Sequence, residues 1–219
     1  MERLLSLFNL YDVLGYLLSG VALIVGLYWV FAGIPPSPTT AAVFGLLGAG
    51  YAVGQLLALP GGMWESAWWK WRGGLPAQRM LAEGAFGFTI GVREEIKRRL
   101  CSQVGVDDLT NDHRFELARA RLRLAGFDGR AELIRALHGL CRNLSASCLF
   151  IGVGAVVHLA FACEVERLVI TAVLGIGTAG MLGFRTLRFQ RRFAEEIWLD
   201  YLALGDESTR ERDPKESSQ

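Results

Sequence analysis

Four stretches of the chain, residues 13–32, 41–59, 144–163 and 168–184, contain no aspartate, glutamate, lysine or arginine. About 17–25 apolar residues suffice for a helix to cross a hydrocarbon layer roughly 30 Å thick, and each run meets that. Buried helices of a water-soluble fold rarely stay free of charge for so long. Nor do the runs alternate between apolar and polar residues, which excludes the strand pattern of a membrane β-barrel. The chain therefore reads as an all-α integral membrane protein with four spans.

Signatures of catalysis are also missing. The four cysteines, Cys101, Cys141, Cys148 and Cys163, form no C-x-x-C pair and share no zinc spacing with histidine. There is no G-x-x-x-x-G-K-[ST], no H-E-x-x-H and no G-x-S-x-G. Gly84-Ala85-Phe86-Gly87 shares only its glycines with a phosphate loop. His113, beside Asp112 and Glu116, sits in the setting of a solvated histidine on a charged helical face. No catalytic, cofactor-binding or metal-ligating residue is assigned, and a non-enzymatic role is expected. The net charge of +1 averages very unequal regions and indicates no nucleic-acid partner.

Val30-Phe31-Ala32 would pass as a signal-peptide cleavage site. The apolar run before it is about twice the usual ~7–15 residues, and only Arg3 precedes it, so an uncleaved helix is expected. Orientation follows from where lysine and arginine fall. One precedes the first run, none lies in 33–40, fourteen lie in 60–143, one in 164–167 and seven after residue 184. Cytoplasmic loops keep the positive residues. The middle segment and both termini are thus placed in the cytoplasm, and the protein in the inner membrane.

The expected organisation is two transmembrane helical hairpins, 1–59 and 144–184, separated by a small, mostly helical cytoplasmic domain at 60–143. In the first hairpin the turn carries Pro35, Pro36 and Pro38; in the second it is Glu164-Val165-Glu166-Arg167. Pro60-Gly61-Gly62 is expected to end the second span. Trp64, Trp68, Trp69 and Trp71 follow with Lys70 and Arg72, a composition favoured where bilayer meets water, and suggest a helix lying on the inner leaflet.

Helices are expected over 92–104, over 110–125 with Thr110 as N-cap and Gly126 as stop, and from Gly129 into the third span after an Asp128 cap. Phe115, Leu117, Ala118, Leu122 and Leu124 form the apolar stripe of the second of these, and Leu133, Ile134, Leu137 and Leu140 that of the third. Residues 185–205 continue the fourth span as a helix. Its Phe189, Phe193, Ile197 and Tyr201 recur every four residues beside a collar of arginines, suited to packing on the middle domain, on a second subunit or along anionic lipid headgroups. Residues 206–219 lack any apolar side chain and are expected to be disordered.

Polar groups within the spans are few: Asp12 at the inner edge of the first, Gln55 in the second and His158 in the third. Ionisable groups are costly in lipid and suggest a role, so His158 is the leading candidate for a gate or proton-sensitive position. Gly50-x-x-x-Gly54-x-x-x-Ala58 and Gly175-x-x-x-Ala179-x-x-x-Gly183 are small-residue stripes that let helices approach closely, within one chain or in a homo-oligomer.

Tyr11-Asp12-Val13-Leu14-Gly15-Tyr16, Cys141-Arg142-Asn143 and Arg188-Phe189-Gln190-Arg191-Arg192-Phe193 resemble strings in uncharacterised bacterial four-pass inner-membrane proteins, of the kind associated with signalling or phage-defence operons. The resemblance implies a non-enzymatic membrane role and carries over no site residue. The expectation is a protein whose cytoplasmic domain receives a signal or partner and whose membrane part responds as an oligomeric effector or pore. The alternative is an anchor that docks a cytoplasmic protein through the tryptophans and the 189–201 stripe.

Overall fold

The computed structural model describes residues 13–34, 39–82, 88–104, 110–126, 129–161 and 164–210, among which there is no strand. A π-helical turn, Val13–Leu17, leads into α1 (Leu18–Ala32), which is followed by α2 (Thr40–Trp71) and α3 (Pro76–Leu81). Then come α4 (Ile90–Val104), α5 (Asn111–Leu124), α6 (Gly129–Leu159) and α7 (Val165–Arg210). Four segments are long and apolar enough to cross a membrane: Gly15–Ala32, Thr40–Leu81, Arg130–Leu159 and Val165–Leu204.

The chain divides into two compact units. The first comprises Met1–Trp68 and Arg135–Phe189, the second Trp69–Ile134 and Gln190–Gln219. Helices α2, α6 and α7 contribute residues to both.

In the first unit, α1 and α2 pack antiparallel, with Gly20 against the backbone of Gly50 and Gly54 against that of Tyr16. α6 and α7 do the same, with Gly152 on Gly175 and the Ser145 hydroxyl donating to the Ala179 carbonyl at 2.7 Å. α1 runs parallel to α6, Gly26 meeting Ile151 and Leu27 meeting Gly154. Val30, Ala155, Leu168 and Ala172 form a small buried cluster. Lipid tails are as apolar as leucine, so such helices gain by close packing and internal hydrogen bonds rather than by hiding from water. Glycine at the crossings supplies the closeness.

The second unit has a core of the kind water drives together. Met80, Leu81, Ile96, Leu100, Leu122, Ile197, Trp198 and Tyr201 are buried in it, and Phe115 and Phe193 pack on its edge. The Phe115 ring meets Trp198 edge-on at 5.4 Å and Phe193 at 6.1 Å. The Arg99 guanidinium donates to the Leu202 carbonyl at 2.9 Å, and Arg130 pairs with Glu196 at 3.0 Å. Thr110 caps α5, accepting from the His113 N–H at 3.4 Å, and Gly126 follows the helix at φ +76°. Gly73 and Gly74, at φ +84° and +115°, end α2.

Several local expectations fail for identifiable reasons. Pro60 lies inside α2, so the tryptophans occupy the last turns of the helix that begins at Thr40 rather than a separate element. A proline costs the carbonyl four residues earlier its partner, but helices packed by neighbours tolerate that loss. Ala118 and Leu122 of the expected α5 stripe are buried, but Leu124 is 90% exposed; at the start of α6 Ala131 is buried and Leu133 47% exposed, each leucine lying two residues, about 200° of helix, from a buried position. Residues 206–210, expected to be disordered, prolong α7; extending a formed helix needs no new nucleus. Asp12, Cys163, Asp128, the glycines at 84 and 87, and residues 211–219 lie outside the described residues.

Candidate functional site

Polar side chains of the first unit gather at two levels. At one end of the unit, Ser19, Asn143 and Ser147 are fully buried. The Asn143 amide donates to the Gly15 carbonyl at 2.8 Å, and so does the Ser19 hydroxyl, also at 2.8 Å. The Ser147 hydroxyl lies 2.9 Å from the Ser19 carbonyl and 3.0 Å from that of Asn143, and its single proton serves one at a time. A π-helical turn displaces the normal backbone bonding. Here it presents the Gly15 carbonyl to both donors, forming a polar ladder between α1 and α6.

One turn before Asn143, α6 meets α2 through a buried ionisable cluster. His138 Nε2 is 2.9 Å from Glu65 Oε1, and Arg142 Nη1 is 3.7 Å from Glu65 Oε2. Arg142 Nε donates to Asn143 Oδ1 at 3.3 Å, linking cluster and ladder. Glu65 reaches this position only because α2 runs through Pro60. The three side chains are between 9% and 17% exposed, so each charge relies on its partners rather than on water. Such a group sets a carboxylate between an imidazole and a guanidinium. Beside it opens a cleft of about 290 Å³, walled mainly by Trp64, Leu149, Phe150 and Ile176 and closed at one end by Arg142 and Ser145.

At the other end of the unit, His158 stacks edge-on against Phe31, with ring centroids 5.1 Å apart. It borders a cavity of about 670 Å³ with Trp29, Gly33, Glu164 and Arg167. The Arg167 guanidinium lies over the Trp29 ring at 5.6 Å, and its Nε stands 2.9 Å from Glu164 Oε2. The Trp29 indole in turn donates to Thr171 Oγ1 at 3.3 Å. Here His158 has aromatic and ionic company but no direct hydrogen bond to the pair.

The remaining sequence candidates are dispersed. Gln55 is exposed on α2, where its amide donates to the Tyr51 hydroxyl at 3.1 Å. Gly50 and Gly54 face α1, Gly175 faces Gly152, Ala179 accepts from Ser145, and Gly183 lies against the Trp64 ring. Trp64 stacks on Trp68 with ring centroids 6.0 Å apart. In the second unit Trp69 is buried and Trp71 exposed.

Sequence reasoning passed over Ser19, Asn143 and Ser147, and also Glu65 and His138. Hydroxyls are unremarkable in a span and no pattern marked their partner, a backbone carbonyl. Glu65 did carry a signal, as the first acid after the second apolar run. Among the described residues, no three His, Cys, Asp or Glu side chains are placed to hold a metal ion. No protein-family model, curated protein or solved structure matches the chain.

Proposed function

We propose that this chain is a four-span, non-enzymatic protein of the bacterial inner membrane with both termini in the cytoplasm. Its second unit receives a signal or a protein partner, and its first unit responds by assembling into a pore or disturbing the bilayer. The observation that carries the reading is the make-up of α6 and α7. Each contains a long charge-free run and, without a break, residues of the second unit's core: Ala131 in α6, and Ala194, Ile197, Trp198 and Tyr201 in α7. A partner that repacks that core acts on helices that are also spans. On the anchor alternative, docking would fall to exposed tryptophans such as Trp64 and Trp71, since Ile197 and Tyr201 of the 189–201 stripe are buried inside the second unit.

Two experiments test this. Reporter fusions after residue 82 and after residue 210 are expected to be active only on the cytoplasmic side, and activity outside would overturn the orientation. Overexpression is expected to admit a membrane-impermeant dye. Intact membranes and normal growth at high expression would sink the effector reading.

A further inference from the structure

The geometry points to a binding site for one anionic phospholipid in the cleft between α2, α6 and α7 of the first unit, with an acyl chain in the slot and the phosphate on Arg142. The slot, about 290 Å³, is at the small end for ligand pockets and suits a single hydrocarbon chain rather than a folded polar molecule. Its walls, Leu149, Phe150 and Ile176, belong to the charge-free runs at 144–163 and 168–184. On the membrane reading above, on which this inference rests, the molecules that reach such a slot are lipids.

The polar end selects the headgroup. Arg142 is separated by one residue from the third apolar run, which on the membrane reading puts it near the headgroup level. Its aliphatic stem runs along Gly61, where a Cβ would come within 3.2 Å of the Arg142 Cγ. Arg142 thereby lines the polar end of the slot together with Ser145. A guanidinium has five N–H donors in a planar fork and can serve a phosphate and a carboxylate together. Glu65 Oε2 lies 3.7 Å from Nη1, and its Oε1 lies 2.9 Å from His138 Nε2. Trp64 forms the rim, a residue type suited to the headgroup level. Basic pockets between membrane helices on the cytoplasmic side recognise anionic headgroups in this way.

The test uses the full chain reconstituted in bilayer discs of phosphatidylcholine with or without phosphatidylglycerol, followed by native mass spectrometry after mild detergent release. The wild-type chain is expected to retain one phosphatidylglycerol, about fivefold in preference to phosphatidylcholine, the scale of one basic side chain near an anionic surface. Gly180→Leu fills the slot, and since nothing lies within 4 Å of the position the fold is spared; it should lower retention of both lipids. Gly177→Leu, equally open but not lining the cleft, is the control and should change nothing. Arg142→Lys should weaken the headgroup preference while acyl retention persists.

Equal retention by wild type and Gly180→Leu would overturn the site, as would no preference for the anionic lipid. Displacement by millimolar inorganic phosphate would show a phosphate site without a lipid, and would also overturn it. Recovery of the untreated chain in the aqueous fraction after lysis would instead remove the membrane reading itself.

Discussion

Alanine substitutions at the glycines of α1 and α2 should separate sharply by position. At residue 54 the new Cβ would stand 1.9 Å from the Tyr16 carbonyl oxygen, and at residue 20 it would stand 1.7 Å from that of Gly50. Ordinary contact begins near 3.4 Å, and the obstructing atoms are backbone rather than the ends of flexible side chains. The helices must therefore part by about 1.5 Å at that level, which forfeits more than half of each dispersion contact there. Overpacking costs about 1–3 kcal/mol, occasionally more, and rigid obstruction places Gly54→Ala near about 3 kcal/mol. Gly48, with nothing within 4 Å, should accept alanine at no cost or gain up to about 1 kcal/mol of helix propensity. Reversible unfolding in mixed detergent micelles, with subunit count by native mass spectrometry, measures both. Equal stability of the two variants would refute the close approach of α1 and α2. An altered subunit count without loss of stability would mean that the stripe faces another copy.

Trp198→Ala should destabilise the second unit by about 3–5 kcal/mol, read as a lowered melting temperature, because it empties the centre of the core. Trp198→Phe should cost clearly less, since the buried indole N–H it removes has no hydrogen-bond partner. Glu65→Gln leaves the buried Arg142 and His138 without their carboxylate and should cost about 3 kcal/mol in the same melts, part of which Glu65→Gln with His138→Leu should recover. Hydrogen bonds from Arg99 and Arg98 hold the Glu95 carboxyl below its ordinary pKa of 4.5. Its pairing therefore contributes at neutral pH and is lost as pH falls through the lower folded value. Urea unfolding should separate wild type from Glu95→Gln at pH 7 and not once Glu95 is protonated; an equal difference at both would refute the pairing.

What the sequence revealed is what local composition controls. Absence of charge over a run of residues is visible without knowing any partner, so the long apolar helices were legible, as were the Thr110 cap and the Gly126 stop. Pro60 was misleading because its usual meaning is a helix end, whereas here it costs α2 one backbone hydrogen bond, that of the Leu56 carbonyl, and the helix runs on to Trp71. Leu124 and Leu133 misled because being apolar does not fix a residue's side: Leu124 lies two residues from buried Leu122 and Leu133 two from buried Ala131, about 200° round the helix. The ladder was illegible for a different reason. Asn143 is 128 residues from Gly15 and bonds a backbone carbonyl, which no side-chain pattern announces. His138 and Glu65 are 73 apart and meet only because α2 runs on past its proline.

The two units are held by different forces, and this bears on what the first can do. The second hides large apolar side chains from water. The first holds its helices by glycine contacts and by a few buried polar bonds. Its small-residue stripes are used between its own helices, so they offer no argument for a second copy. A pore of several copies would need polar groups on an outward face, and the ladder and the Glu65 cluster point inward. Outward faces carry residues such as Phe44, Leu56, Val173 and Leu174, which suit lipid. On the proposed effector reading, a conductive state would require α1 to move from α6, exposing the Asn143 amide and the Gly15 carbonyl. The polar bonds that close the resting bundle are then the groups that would line an opening. Their modest strength, about 0.6 kcal/mol on average for hydrogen bonds between membrane helices, keeps that rearrangement within reach of a binding event in the second unit.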